Sequence, residues 1–352
     1  MLRKYFFRAI VFTIVCLVTG FFYGYSLGGR EVALSSVFII IVLGLLETSI
    51  SFDNAIVNVN VLKGMNDTRQ KRFLTRGMVI AVFGMRVVFP VLLVAIFAGM
   101  TPWAALSLAV TDPSQYGHIL NDSHIVIAGF GGAFLMMVGL KFFFNKEKSI
   151  HWLRRFEQSL TKLGQMEAIE AATVLIVLEV FSYFIDPAHA HEFFVAGVWG
   201  VVLYILINGI GSFFGHGEHG ANMVVKTGLV SFIYLEILDA SFSLDGVIGA
   251  FALSNNIFII AMGLGIGAFF VRSFTIYMLR QGTLQSYRYL EHGAFYAVIA
   301  LAIMMLIGAV VHLPEVVVGG IGLIFIVLSF YSSWKVNQEH RFPILRWLGL
   351  KK

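Results

Sequence analysis

Charge and cysteine are both scarce in this chain, and each shortage narrows what it can be. Only 13% of the 352 residues are Asp, Glu, Lys or Arg, about half the share in an average soluble domain. The single cysteine, Cys16, excludes a disulfide framework and a thiolate metal cage. Long polar stretches are also missing. The longest, NKEKSIHWLRRFEQSLTKLGQME at 145–167, is too short for a soluble domain. It is basic and carries Trp152 and Phe156, which suits either an amphipathic segment on a membrane surface or a solvated loop. No HExxH, GxSxG or comparable nucleophile–base arrangement occurs, so the expectation is that the chain is not an enzyme. The small-residue run GLGIG at 263–267 lies in an apolar stretch and lacks the GK[ST] of a phosphate loop; it reads as close helix packing.

What is abundant is apolar surface. Hydrophobic residues make up 58% of the chain, with 34 Phe, and apolar runs of about 20 residues recur as transmembrane helices require. The predicted architecture is all-α and polytopic, with about ten spans: 7–27, 33–57, 77–99, 125–144, 168–185, 193–213, 228–252, 257–279, 292–312 and 316–334. Glu170 and Glu179 interrupt the run at 168–185. The N-terminal stretch has the basic start of a signal peptide but no fitting small-residue cleavage site, and is read as a retained helix.

The formal net charge of +5 is not a nucleic-acid signal, because the basic residues sort by side of the membrane. All 25 fall on one face of the ten-span topology except Arg30, on the other face, and Arg86 and Arg272, within spans. The positive-inside rule then places both termini in the cytoplasm, with the protein in the inner or plasma membrane. The lipid bilayer is one expected partner and nucleic acid is not. Oligomeric state is not legible.

Two stretches repeat each other. LGLLETSISFDNAIV at 43–57 aligns without gaps on LEILDASFSLDGVIG at 235–249, sharing Leu43/Leu235, Leu46/Leu238, Ser49/Ser241, Ser51/Ser243, Asp53/Asp245 and Ile56/Ile248, with Glu47 opposite Asp239. A helix carrying one arginine follows each copy (Arg86, Arg272), then a third helix, GGAFLMMVGL at 131–140 or HGAFYAVIAL at 292–301. The copies begin five spans apart, an odd number, which predicts two inverted three-helix repeats. Within one membrane domain, repeat 1 takes about 33–144, an inserted helix pair about 168–213, repeat 2 about 228–312 and a C-terminal helix about 316–334.

Each acid at membrane depth costs about 2.5–3.5 kcal/mol on insertion scales, so duplicated intramembrane acids mark a candidate functional site. At about 100° per residue, Glu47, Ser51 and Asn54 share a helix face while Asp53 falls about 120° away. Either the polar face is wide, or the helix breaks near Ser51 and Ser243 and aims backbone carbonyls into a cavity. Carboxylates, hydroxyls and an amide all offer oxygen, and a sulfur-free oxygen site suits hard divalent cations such as Mg²⁺, Ca²⁺ or Mn²⁺. The candidate ligands are Glu47, Asp53, Asn54, Glu236, Asp239 and Asp245, with Ser51 and Ser243 supporting and Arg86 and Arg272 as counter-charges. Glu236 has no acidic counterpart, since Gly44 takes its place. Acids in excess of arginines argue against an anion, and burial favours their protonation, which makes proton antiport the candidate coupling. The competing reading is that the acids pair with the arginines and lock helices together. Loop histidines, His189 with His191 and His216 with His219, are secondary candidates for weak metal capture.

The motif E47-T-S-I-S-F-D53-N54-A55 resembles the first signature of the TerC family of membrane proteins, with Ile50 in place of the usual Leu. D239-A-S-F-S-L-D245-G246 resembles the second, more loosely, with Gly246 and Ile248 where Ser and Pro are usual. The resemblance covers roughly 33–312. It implies a relative of the LysE transporter superfamily and metal-ion efflux, most directly of Mn²⁺ as the transported substrate rather than a resident cofactor. Glu47, Asp53, Asn54, Asp239 and Asp245 would be its site residues. The alternative is a membrane scaffold, an assembly factor or a tellurium-resistance-associated protein without transport activity.

Overall fold

The computed structural model describes residues 2–63, 65, 70, 84, 87–166, 168–214, 235, 237–238, 246–247, 250–251, 253–254, 256–311, 313 and 315–341. Among these residues all regular structure is helical. The helices are α1 (Leu2–Ile50), α2 (Phe52–Leu62), α3 (Phe89–Phe97), α4 (Pro102–Thr111), α5 (Pro113–Asp122), α6 (His124–Phe143), α7 (Arg154–Leu163), α8 (Ile169–Ser182), α9 (Pro187–Phe214), α10 (Ile257–Gln281), α11 (Thr283–Ser286), α12 (Leu290–Gly308) and α13 (Glu315–Arg341). Among the described residues six stretches are long and apolar enough to cross a membrane: Tyr5–Ile50, His124–Phe143, Pro187–Gly209, Ile257–Gln281, Leu290–Gly308 and Gly320–Asn337. The chain is thus a helical, polytopic membrane protein. Its outer surface bears large apolar side chains such as Phe22, Phe38, Leu45, Ile176, Trp199 and Ile324, as a lipid-facing surface requires.

The first of these stretches is a hairpin. Helical geometry fails at Gly28 and Gly29, and Gly29 takes φ +75°, a left-handed conformation open to glycine at little cost. Beyond the reversal, Gly24 faces Ala33 and Ser36, and Gly20 faces Ile40. The two arms match the first two predicted spans.

Other helix pairs have directions that small residues reveal. Gly132 of α6 faces Leu306 and Ala302 of α12 while Gly139 faces Ile299, so these helices run antiparallel. Gly293 of α12 meets Phe325 and Ser329 of α13, and Gly322 meets Ala297, again antiparallel. The second arm of α1 runs parallel to α10, with Gly263 on Ile40 and Leu43 and Gly267 on Glu47 and Thr48. Gly129 packs on Phe193 and Gly200 on Phe130 and Ala133, which makes α6 and α9 parallel. The GLGIG run therefore does what its composition suggested: it brings α10 and α1 into backbone-level contact.

Local signals set the ends of α10. Asn256 caps its start, its side-chain oxygen accepting from the Phe258 and Ile259 N–H groups at 3.0 and 3.3 Å. Gly282, at φ +62°, ends it in the left-handed conformation.

Two segments differ from expectation. The region between the third and fourth predicted spans forms two short helices rather than an extended loop. Each has a proline in its first turn, and Thr101 and Asp112 cap them by accepting from the Ala104 and Gln115 N–H groups. Tyr116 of α5 is fully buried against Phe251, so this pair is part of the core. The predicted span at 168–185 is α8, whose 14 residues reach about 21 Å, short of a hydrocarbon core of about 30 Å. Glu179 is exposed on α8 rather than set in a cavity or an interhelical bond. Most of the predicted span 228–252 and residues 77–83 of the third lie outside the described residues.

Candidate functional site

The first acidic motif sits where α1 hands over to α2. The helix is interrupted at Ser51 (φ −91°, ψ 16°), near where the second of the two readings places a break. The interruption keeps one helical bond across it, from the Ser51 N–H to the Glu47 carbonyl at 2.9 Å. The α2 helix is walled by α10, α12 and α13. Every residue from Asp53 to Val59 is buried. With Glu47, three of them are polar groups that an apolar bundle would normally exclude: Glu47, Asp53, Asn54 and Asn58 are 2%, 3%, 4% and 6% exposed.

Glu47 connects the two motifs. One oxygen, Oε1, accepts from the Ser51 hydroxyl at 3.0 Å. The other, Oε2, lies 2.9 Å from where a Cβ on Gly246 would stand. Gly246 directly follows Asp245, so the carboxylate of the first copy reaches the backbone of the second. Behind it, Gly267 of α10 lies against the Glu47 Cβ and Cγ. Glycine at both positions leaves the volume that the glutamate fills.

Asp53 faces another wall. Its Oδ1 accepts from the Asn54 N–H at 3.0 Å, and its Oδ2 points toward α13, 3.9 Å from a Cβ placed on Gly322, with Ala297 of α12 alongside. This divergence follows from the six-residue spacing. Asn54 carries a buried side-chain oxygen with no hydrogen-bond partner among the described residues. Arg272 is buried on α10, five residues beyond Gly267. Glu236, Asp239, Ser243, Asp245 and Arg86 lie outside the described residues. Among the described residues, no three His, Cys, Asp or Glu side chains come together in a metal-holding group. His189 and His191 are exposed, with His189 3.7 Å from Glu192, and they are not part of this site. His216 and His219 lie outside the described residues.

Two features went unnoticed in the sequence. Asn58 continues the Glu47–Ser51–Asn54 stripe by one more turn. The second feature involves the polar 145–167 stretch, which is not a plain loop: Arg154–Leu163 forms an amphipathic helix with Phe156 and Leu163 exposed. Its helix α7 is pinned by Glu157, which is completely buried. Glu157 Oε1 accepts from the Trp152 and Leu153 N–H groups and from the Tyr296 hydroxyl at 3.1–3.2 Å. Its Oε2 pairs with Lys148 at 2.8 Å and lies 3.4 Å from His292 Nε2. That nitrogen also faces the Ile150 carbonyl at 2.8 Å; with acceptors on both sides, it carries the proton. Lys148 further stands 4.1 Å from the Phe142 ring centre. Burial pushes the Glu157 carboxyl up, but Lys148, the Leu153 N–H and His292 outweigh it and hold the carboxyl below its ordinary range. Lys148 is depressed, chiefly by burial, although Glu157 opposes this. No local pattern marks Glu157 as buried, because the stretch just before it, Lys148 to Leu153, encloses it only together with His292 and Tyr296 of α12.

No curated protein and no solved structure matches the chain. A family model does, over residues 52–340, so its match spans Asp53, Asn54, Asn58 and the whole second copy. The chain belongs to the family described as protein of unknown function DUF475.

Proposed function

We propose that this protein transports a divalent metal cation, Mn²⁺ foremost, out of the cytoplasm across the inner or plasma membrane. The observation that carries the reading is the approach of the Glu47 carboxylate to Gly246, the residue after Asp245. The two duplicated motifs, far apart in sequence, thus meet at Glu47 and Gly246, inside a bundle where an acid is expensive to keep. The cation would be bound by Glu47, Asp53, Asn54, Asp239 and Asp245, with Glu236 beside them and Arg272 and Arg86 balancing excess charge. The resemblance to the TerC signatures points the same way. Protons released on binding would be exchanged for the cation, since a ligating carboxylate must be ionised.

Helix directions support the ten-span, inverted-repeat plan. With the spans numbered as in the sequence, spans 4 and 9 (α6, α12) and spans 9 and 10 (α12, α13) should be antiparallel. Spans 2 and 8 (second arm of α1, α10) and spans 4 and 6 (α6, α9) should be parallel. All four pairs agree. Such repeats rock around a central site to alternate access. Both termini would then lie in the cytoplasm.

One observation favours the second reading, a scaffold in which the acids are structural. Glu47 is already satisfied in part by Ser51 of its own helix, and Asp53 faces a different wall. The two readings separate by measuring cellular manganese under manganese challenge. Cells would carry the wild type, the Asp53→Asn/Asp245→Asn double variant or no protein, with membrane levels of the two proteins matched. Transport predicts lower manganese with the wild type alone. Equal lowering by the double variant would sink the assigned site. If manganese is equal in all three, it is not the substrate, and other divalent cations measured in the same samples decide between another cation and a scaffold.

A further inference from the structure

Beyond the candidate ligands, the first motif helix carries one more buried polar side chain, and its position gives it a role. At about 100° per residue, Glu47, Ser51, Asn54 and Asn58 fall within about 60° of one another around the helix axis. Across the interruption at Ser51 the Ser51 N–H to Glu47 carbonyl bond is kept, and Glu47, Ser51, Asn54 and Asn58 are all buried. From Glu47 to Asn58 the stripe rises about 16 Å, roughly half the hydrocarbon thickness. The remaining buried residues between Asp53 and Val59, apart from Asp53 itself, are Ala55, Ile56, Val57 and Val59. Asn54, one turn nearer Glu47, has its amide oxygen buried with no hydrogen-bond partner among the described residues, so the stripe presents at least one acceptor with lone pairs to spare.

The stripe also has a defined end. Its next member, Leu62, is fully buried and packs with Met65 and Leu235 in a small apolar cluster. Leu235 opens the second motif. The side-chain nitrogen of Gln70 ties this end down, donating to the Leu62 and Met65 carbonyls at 3.0 Å each. Lys63 follows and pairs with Glu291 at 3.1 Å, where both are partly exposed. The order along the helix is therefore acid, hydroxyl, amide, amide, apolar plug, surface ion pair.

We propose that Asn58 is a cytoplasmic-side ligand for the transported divalent cation, a neutral stop between the acidic site and a Leu62–Met65–Leu235 plug. This rests on the transport reading above. An amide carbonyl is an accepted ligand for hard divalent cations. Being uncharged, it replaces part of the hydration shell without trapping the ion. A permeating ion needs sites that favour binding yet allow departure, and a carboxylate at position 58 would tip that balance toward retention.

The chain's single cysteine makes the test direct. In a Cys16→Ala background, Asn58→Cys would be treated with a membrane-impermeant methanethiosulfonate reagent on the cytoplasmic face of inside-out vesicles, with and without Mn²⁺. Manganese uptake by vesicles carrying Cys16→Ala alone, or Cys16→Ala with Asp53→Asn, would be measured alongside. The expected result is modification at position 58 that Mn²⁺ slows about tenfold. No modification, or modification that Mn²⁺ does not slow, overturns the role of Asn58. If Asp53-dependent uptake persists in that case, the transport reading stands. Absence of Asp53-dependent uptake of any divalent cation defeats the transport reading and this one with it. A second variant, Asn58→Asp, should lower turnover about tenfold while tightening Mn²⁺ binding; unchanged turnover and binding would also overturn the proposal.

Discussion

The Glu47 carboxylate occupies the space that a side chain at position 246 would need: Oε2 lies 2.9 Å from the Gly246 Cβ position. Glycine at 246 is thus a condition for the conformation of a glutamate 199 positions earlier, and this contact joins the two copies of the motif.

Gly246→Ala should therefore displace the carboxylate without unfolding the protein. The clash is with the far end of a flexible side chain, which can swing aside at small cost. The expected outcome is a thermal midpoint close to wild type and a manganese flux lowered about tenfold. Full flux would separate the Glu47 position from transport.

Gly267→Ala is the opposite case. Its Cβ would meet the Glu47 Cβ and Cγ and come within 3.1 Å of the Thr48 nitrogen, atoms close to the backbone that cannot rotate away. Overpacking of this kind costs about 1–3 kcal/mol, which should lower the midpoint in detergent. Gly209→Ala is the control. Among the described residues no heavy atom lies within 4 Å of its Cβ position, and alanine is the better helix former, so its midpoint should hold or rise.

The Glu157 cluster makes a stability and pH prediction. Removing one member of a buried ion pair costs about 3–5 kcal/mol, so Lys148→Met or Glu157→Gln should be strongly destabilising. The double variant should cost less than the sum of the two. Lys63→Ala breaks only the partly exposed pair with Glu291 and should cost about 0–1 kcal/mol. Glu157 is held below its unfolded value, so its contribution is fully present above about pH 4.3 and is lost as pH falls through the folded value. Lys148 is depressed as well, so the unfolded chain binds more protons on the alkaline side and stability from this group rises toward its unfolded value, about 10.4. Thermal midpoints from pH 3 to 7 should fall at the acid end for the wild type, and fall less for Glu157→Gln. Parallel curves would contradict this account.

Much of this protein is decided by composition and period alone. Apolar runs of bilayer length specify helices wherever they fall, because a backbone in lipid must satisfy its own hydrogen bonds. The duplication of Glu47 to Asp53 in Asp239 to Asp245 and the close packing of GLGIG were legible because each depends on neighbours along the chain. The same is true of the divergence of Glu47 and Asp53, which six residues of helical rotation impose. For the helix at Ser51 the sequence left a wide polar face and a break both open.

Tertiary structure decided what neighbours along the chain cannot. Glu157 reads as one more charge in a basic, solvated stretch, yet Lys148, His292, Tyr296 and two backbone N–H groups enclose it. Tyr116 reads as part of an external loop, yet it is fully buried against Phe251. Whether Asn58 faces lipid, water or protein depends on α10, α12 and α13 closing around α2. The physical reason is common to all three. The helical period fixes the direction of a side chain relative to its own axis, but its surroundings are set by helices that arrive from elsewhere in the chain, and only their packing buries a polar residue.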